Sequence, residues 1–367
     1  MLAASELAAW LRLLLSDGLG RTNARRLLAA FGSPEAVFEA PPADQRGVVG
    51  AAADALAREP DDLRTQCAAV DAWLALGGGR SIITLGDPGY PQALLETADP
   101  PLLLFLQGRA ELLQAPSVAV VGSRNASPQG LENARAFSAH LSRAGLCVVS
   151  GLAAGIDGAA HEGGLTGPGS TVAVVGTGLD RVYPQRHRQL AHRIAAEGLL
   201  VSEFPLGTHP LAQNFPMRNR IIAGLSLGTL VVEAAVQSGS LITARLAAEM
   251  GREVFAIPGS IHQPQSRGCH ALLKQGAKLV ESGEDVLEEL RFTAPAPAAP
   301  DAGGRDTPQH EADPVLEAMG HDPATLDTLI ARTGIPAATL NVRLLELELN
   351  GQVARLPGAL FQRRFAG

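Results

Sequence analysis

The alternation of apolar and polar positions changes character three times along the chain. Over residues 1–75, Ala, Leu and Arg recur at helical spacing without β-branched runs, which predicts a small helical domain. Within it, Leu14-Leu15-Ser16-Asp17-Gly18-Leu19-Gly20 leads into an apolar-spaced segment from Ala24 to Phe31, the pattern of a helix-hairpin-helix turn that can offer backbone N–H groups to a phosphate. An ordinary helical corner or a protein-docking module fits the same residues. From residue 81 the pattern becomes short apolar runs at 81–85, 103–107, 118–121, 147–150, 171–175, 199–202, 229–232, 254–257 and 278–280. These alternate with helical spacing at 129–144, 159–163, 188–197, 218–225, 240–250 and 269–275. Strands followed by helices predict an α/β fold, an extended Rossmann-like, doubly wound and mainly parallel sheet over 80–290.

After Leu290 a Pro/Ala/Gly stretch predicts a flexible linker over 291–313, because such a composition cannot bury a core. Beyond it, helical spacing at 314–319, 325–332 and 337–350, with Thr333-Gly334-Ile335-Pro336 as a turn, precedes two strand-like runs at 353–356 and 359–363. That succession predicts a winged helix over 314–367.

Composition narrows the function. With 367 residues and 46% apolar content, the chain can bury at least one full core. No apolar run approaches the length of a membrane span and no signal-peptide pattern opens the chain, so a cytoplasmic protein is expected. Cys67, Cys147 and Cys269 are widely separated and odd in number, which supports neither a disulfide framework nor a metal site. The net charge of −7 argues against nucleic acid, yet it is unevenly spread. Residues 116–270 hold 12 Arg against 9 Asp or Glu, so the middle is mildly basic and the flanks acidic.

Ligands of open parallel sheets sit beyond the carboxyl ends of the strands, and those ends are glycine-rich here. Gly122-Ser123-Arg124-Asn125, Gly151 to Asp157, Gly176-Thr177-Gly178, and Glu233 followed by Ser238-Gly239-Ser240 each follow a strand-like run. Glycines let a phosphate approach the backbone and an arginine adds bidentate charge, so these residues predict an anion-binding rim. No glycine-lysine phosphate loop is present, and Arg181 stands where the third glycine of a dinucleotide fingerprint belongs. A triphosphate or dinucleotide cofactor is therefore not expected; the rim suits the repeated phosphates of a single strand.

The run Gln213-Asn214-Phe215-Pro216-Met217-Arg218-Asn219-Arg220 combines an aromatic with two arginines and amides ahead of a helix, as single-strand binders do. The same pattern fits a core Phe215 with Arg218 and Arg220 capping a surface helix. Asp157 and His161, four apart, fit a helix-stabilising pair better than an acid–base couple. No catalytic set, metal site or cofactor site emerges.

Many ordered pieces together resemble the DNA-processing A (DprA, also called Smf) family. They run from Val120-Val121-Gly122-Ser123-Arg124 through Val149-Ser150-Gly151-Leu152-Ala153, Gly155-Ile156-Asp157, Ala160-His161, Thr177-Gly178-Leu179-Asp180, Tyr183-Pro184 and Ser202-Glu203-Phe204-Pro205. They continue with Phe215-Pro216, Arg218-Asn219-Arg220, Val232-Glu233-Ala234, Ser238-Gly239-Ser240, Phe255-Ala256-Ile257-Pro258-Gly259 and Gly268-Cys269-His270. The resemblance implies a Rossmann-like core that binds single-stranded DNA, dimerises and delivers the strand to the RecA recombinase in natural transformation. It also implies a sterile-alpha-motif-like domain in front and a winged helix behind, and leaves room for a single-strand-binding protein or competence regulator as a further partner. It maps DNA contacts onto Gly122, Ser123, Arg124, Phe215, Arg218, Asn219, Arg220, Ser238, Gly239 and Ser240. The dimer contact falls on Ile261, Cys269, His270, Leu272 and Leu273.

Ala154 departs from the basic or aromatic residue common at that place in the family, so the pocket is expected to hold one phosphate less firmly. Gly228-Thr229-Leu230-Val231-Val232-Glu233 also resembles the motif of Rossmann-like nucleoside-monophosphate phosphoribohydrolases, but Ala223-Gly224-Leu225-Ser226-Leu227 replaces the Pro-Gly-Gly that should precede it. In the winged helix, Arg343, Arg355, Arg363 and Arg364 are basic, but Glu346 and Glu348 sit on the would-be recognition helix, which favours a protein contact there.

Overall fold

The computed structural model describes residues 3–293, 313–320, 323–356 and 358–363. Most of the expected linker, together with Arg364, lies outside these residues. The sheet has nine strands: β1 (Arg80–Thr84), β2 (Leu103–Gly108), β3 (Ser117–Val121), β4 (Cys147–Ser150), β5 (Thr171–Val174), β6 (Leu199–Ser202), β7 (Gly228–Val231), β8 (Glu253–Ala256) and β9 (Lys278–Leu279). Their order is β1-β2-β6-β5-β4-β3-β7-β8-β9. The β1–β2 and β2–β6 pairs are antiparallel and the others parallel, so the mainly parallel α/β sheet expected from the sequence is what forms.

Strands such as Ser117–Val121 are apolar along nearly their whole length because helices cover both faces, and every residue of β3 is buried. Phe105 and Phe255 are fully buried; burying a side chain of this kind contributes about 1.5–3 kcal/mol. The topology creates the site. From β3 the chain moves to β4 on one side, whereas β7 lies on the other, with Val121 opposite Val231. Connections leaving these neighbours diverge and open a crevice at their carboxyl ends.

Helix Pro128–Arg143 begins where its sequence dictates: Pro128 occupies the first turn and Ser127 Oγ accepts from Gly130 N–H at 2.9 Å. Helix Asn214–Leu225 starts four residues earlier than predicted, so Phe215 and Pro216 lie inside its first turn, where proline needs no N–H partner.

Residues 3–75 contain only helical elements. Helix Gly20–Phe31 packs on the sheet domain through Arg21 and Arg25, which hold Asp99 at 2.7 and 2.5 Å. In the Ser16–Gly20 turn, Asp17, Gly18 and Gly20 are exposed, and Ser16, Gly20 and Arg21 face Leu102, Glu203 and Phe204 across a small cavity of 220 Å³.

Beyond residue 313, helices Pro314–Met319, Leu326–Thr333 and Ala337–Leu349 pack with β11 (Val353–Leu356) and β12 (Leu360–Arg363) around Met319, Leu329, Leu340, Leu344 and Phe361. The sequence pattern does not announce β10 (Ala324–Thr325), a two-residue strand that pairs with β12 and is too short to show alternation. No helix among the described residues is long and apolar enough to cross a membrane.

Candidate nucleic-acid interface

A cleft of 670 Å³ opens at the divergence of β3 and β7. One wall is the turn after β3. A side chain on Gly122 would place its Cβ 2.6 Å from Ile156 Cγ1 and 2.8 Å from Glu233 O, so the turn can lie this close only with glycine. Ser123 N–H donates to Glu233 O at 2.7 Å and Asn125 N–H donates to Ser123 Oγ at 3.1 Å, which ties the turn down. Arg124 points outward. It is exposed, and no ion pair or hydrogen bond engages it among the described residues. Its guanidinium carbon lies 5.3 Å from the centroid of the Phe215 ring.

Phe215 projects from the first turn of helix Asn214–Leu225 and meets Tyr183 at 5.5 Å between centroids, tilted 40°. Sequence reasoning missed Tyr183 as a site residue; it lies 32 positions from Phe215, and only the fold joins them. The far wall is the start of helix Ser240–Glu249, where Ser238 Oγ and Ser240 Oγ lie 2.7 Å apart. Asn219 bridges the walls by donating from Nδ2 to Gly239 O at 3.3 Å while its Oδ1 accepts from Arg218 Nε at 3.0 Å. Gln237 and Gln265 also line the cleft. An unpaired cation, an aromatic pair and a helix start carrying two hydroxyls can hold phosphates and stack bases.

Arg218 is placed differently from the sequence expectation. Its side chain is 5% exposed, and Nη1 donates to Gly151 O at 2.6 Å and to Val174 O. Burial lowers its pKa to about 10, an effect that Asp157, 3.9 Å away, partly offsets. The residue touches the cleft only from beneath, as a strut between β5, the Gly151 turn and its own helix. Arg220 is not brought to the cleft at all. It grips Glu203 at 2.6 Å and Asp99 at 2.8 Å, on the side facing residues 3–75.

The loop Gly151–Gly155 also departs from the anion-rim expectation at its first three residues, whose N–H groups already have partners. Gly151 and Ala153 donate to Asp157 Oδ2 at 3.2 and 3.3 Å, and Leu152 donates to His161 Nε2 at 3.2 Å. Asp157 and His161 therefore brace the loop instead of pairing with each other. Thr171 Oγ1 donates to Val148 O, so His161 Nδ1–H donates to Thr171 and the imidazole is neutral. Burial, then the neighbouring His187 and Arg218, lowers the His161 pKa to about 3. Burial likewise pushes the Asp157 carboxyl upward against the pull of Arg218. Ala154 lines a side recess of 170 Å³ with Arg124, Tyr183, Phe215 and Arg186, a second arginine that the sequence reading passed over.

Glu233 points away from the cleft. Its carboxylate accepts from Ser127 N–H at 2.9 Å and from Ser127 Oγ at 2.5 Å, fixing the start of helix Pro128–Arg143. Among the expected dimer residues, Ile261 is 73% exposed and Leu272 and Leu273 are half-buried. Cys269 is wholly buried on the inner side of helix Arg267–Lys274, its Sγ 3.6 Å from Val231 O, so it cannot meet a second chain. His270 Nε2 lies 2.9 Å from Gly259 O within the same chain. No cluster of three metal-ligating side chains occurs among the described residues.

Comparison with known proteins identifies the family. The model of the DNA recombination-mediator protein A family matches residues 81–291, and that of the DprA winged helix domain matches residues 293–359. The chain belongs to the DNA recombination-mediator protein A (DprA/Smf) family. Among its relatives, protein Smf of Escherichia coli is 46% identical over 283 residues, 76% of each chain. DNA processing protein DprA of Streptococcus pneumoniae is 52% identical over 206 residues, 56% of this chain and 73% of the relative. The X-ray structure of DprA from Streptococcus pneumoniae superposes with a TM-score of 0.65 at 41% identity, covering 78% of this chain and 98% of that one. A DNA processing protein A from Helicobacter pylori, whose structure was described for its single-stranded DNA binding mode, matches with a TM-score of 0.52 at 29% identity over 58% of this chain and 97% of its own.

Proposed function

We propose that this cleft binds single-stranded DNA, with Arg124 on a phosphate, Phe215 and Tyr183 stacking against bases, and Ser238, Gly239 and Ser240 meeting a second phosphate at the helix start. The observation that carries the reading is Arg124, a solvent-facing cation without a partner among the described residues, set over an aromatic pair. Single-stranded DNA binding by the Helicobacter pylori relative supports the choice of ligand. Gly122, Ser123, Arg218 and Asn219 shape and support the site; Arg220 lies outside it.

The protein acts on this reading by binding, not catalysis. Glu233, the residue a phosphoribohydrolase would need, faces Ser127, and free base is not expected to be released from AMP. The family reading extends the function to loading the RecA recombinase during transformation. It also extends to a homodimer through Ile261, His270, Leu272 and Leu273 beside the edge strand β9, which among the described residues pairs with β8 alone.

Titration of a fluorescent oligothymidine over a salt series tests the site. Arg124→Ala is expected to weaken affinity by about 1–3 kcal/mol and to reduce the log–log salt slope by about 0.7, the value of one phosphate on a single strand. Phe215→Ala should cost about 1–3 kcal/mol through lost stacking, with the slope unchanged. Wild-type binding by both variants would place the site elsewhere.

A further inference from the structure

Helix Ala337–Leu349 carries two apolar faces where a packed helix needs one. Leu340, Leu344 and Leu347 are buried in the winged-helix core. On the other side Val342, Leu345 and Leu349 are 60%, 56% and 80% exposed, and Ala338 is exposed in line with them. At 100° per residue this second stripe lies about 165° round the helix from the first. Its spacing of four, three and four residues is that of a coiled-coil seam, with Val342 and Leu349 at one repeat position and Ala338 and Leu345 at the other. Apolar side chains scattered singly over a surface need no partner, but a seam that places β-branched and Leu residues in register is an unpaired contact line.

Charge decides what could cover it. A duplex-reading helix presents basic or amide side chains to the groove. Here Glu348 flanks one side of the seam and Glu346, paired with Arg343, the other, and Arg343 is the only arginine on this helix. Arg343 is held by Asp313 and Glu346, Arg332 donates to Ala318 O, Arg363 donates to Leu316 O, and Arg355 lies over Phe361. A second copy on the same seam would bring the acidic flanks of two helices together, which seam-flanking charges disfavour. We infer that this face docks an amphipathic helix of a partner protein whose apolar stripe is flanked by Lys or Arg. Three exposed side chains make a small contact, suited to transient association.

The inference is independent of the DNA cleft and is tested on the full chain with two synthetic helical peptides. Both carry the same leucine seam; one is flanked by Lys and Arg, the other by Glu. Fluorescence anisotropy should show the basic peptide binding about tenfold or more tightly, with the preference shrinking as salt rises. Leu345→Ser, at an exposed position that leaves the core intact, should abolish peptide binding while thermal melting and oligothymidine affinity stay at wild-type values. Glu348→Lys should remove the preference for the basic peptide. Equal affinity for the two peptides, or no binding of either up to roughly millimolar concentration, would overturn the inference. Duplex DNA binding that Leu345→Ser weakens would assign the face to nucleic acid instead, and a dimer that Leu345→Ser dissociates would assign it to a second copy.

Discussion

Replacing Arg218 by Ala separates a strut from a phosphate ligand. The guanidinium sits under the Gly151 turn so closely that a Cβ on Gly151 would lie 2.1 Å from it. It donates to Gly151 O, Val174 O and Asn219 Oδ1 from a side chain 5% exposed. Alanine would leave two buried carbonyls without a donor, each costing about 1–3 kcal/mol. It would also leave the Asp157 carboxylate without the cation 3.9 Å away, and breaking a buried charge pair costs about 3–5 kcal/mol. These terms overlap, so the expected loss is about 4 kcal/mol, or roughly 10 °C in the Tm of the sheet domain. Guanidinium denaturation and thermal melting read this directly. Oligothymidine affinity, measured well below the new Tm, should fall less than in Arg124→Ala and with an unchanged salt slope. A variant of wild-type stability whose salt slope drops by about 0.7 would refute the reasoning and make Arg218 a phosphate ligand.

The remaining expectations follow the same geometry. Arg186→Ala should weaken oligothymidine binding by about 1 kcal/mol without altering Tm, since Arg186 shares the recess that Ala154 leaves open; unchanged affinity would confine the strand to the main cleft. His161 is neutral in the fold, with a pKa of about 3 against 6.5 for the free side chain, so the unfolded chain takes up the proton first. Stability from this group is full above pH 6.5 and declines as pH falls toward 3, by about 2 kcal/mol between pH 6.5 and 5, and urea midpoints of His161→Gln should lack that part of the slope. At Asp99, burial would raise the carboxyl pKa, but Arg21, Arg220 and Arg25 hold it well below the usual range. Asp99→Ala should cost about 2 kcal/mol and speed hydrogen exchange in helix Gly20–Phe31, while exchange unchanged there would mean that apolar packing alone docks the helical segment.

Local pattern was enough to place all nine strands of the sheet, because strands buried on both faces read as continuous apolar runs and the glycines between them mark where the chain turns. The same pattern set Arg124 at a strand end and Phe215 at a helix start, the two residues on which the DNA reading rests. It could not rank the arginines. Arg218 and Arg220 stand two residues apart in one motif, yet positions two apart on a helix point about 200° from each other. One therefore enters the floor of the cleft to meet Gly151 and Val174, and the other turns to Asp99 and Glu203, partners from 17 to 121 residues distant. The Tyr183–Phe215 contact and the use of the Gly151–Ala153 amides by Asp157 and His161 have the same origin. Which groups are free to meet a ligand depends on which are already satisfied by the fold, and that was decided only when distant segments came together.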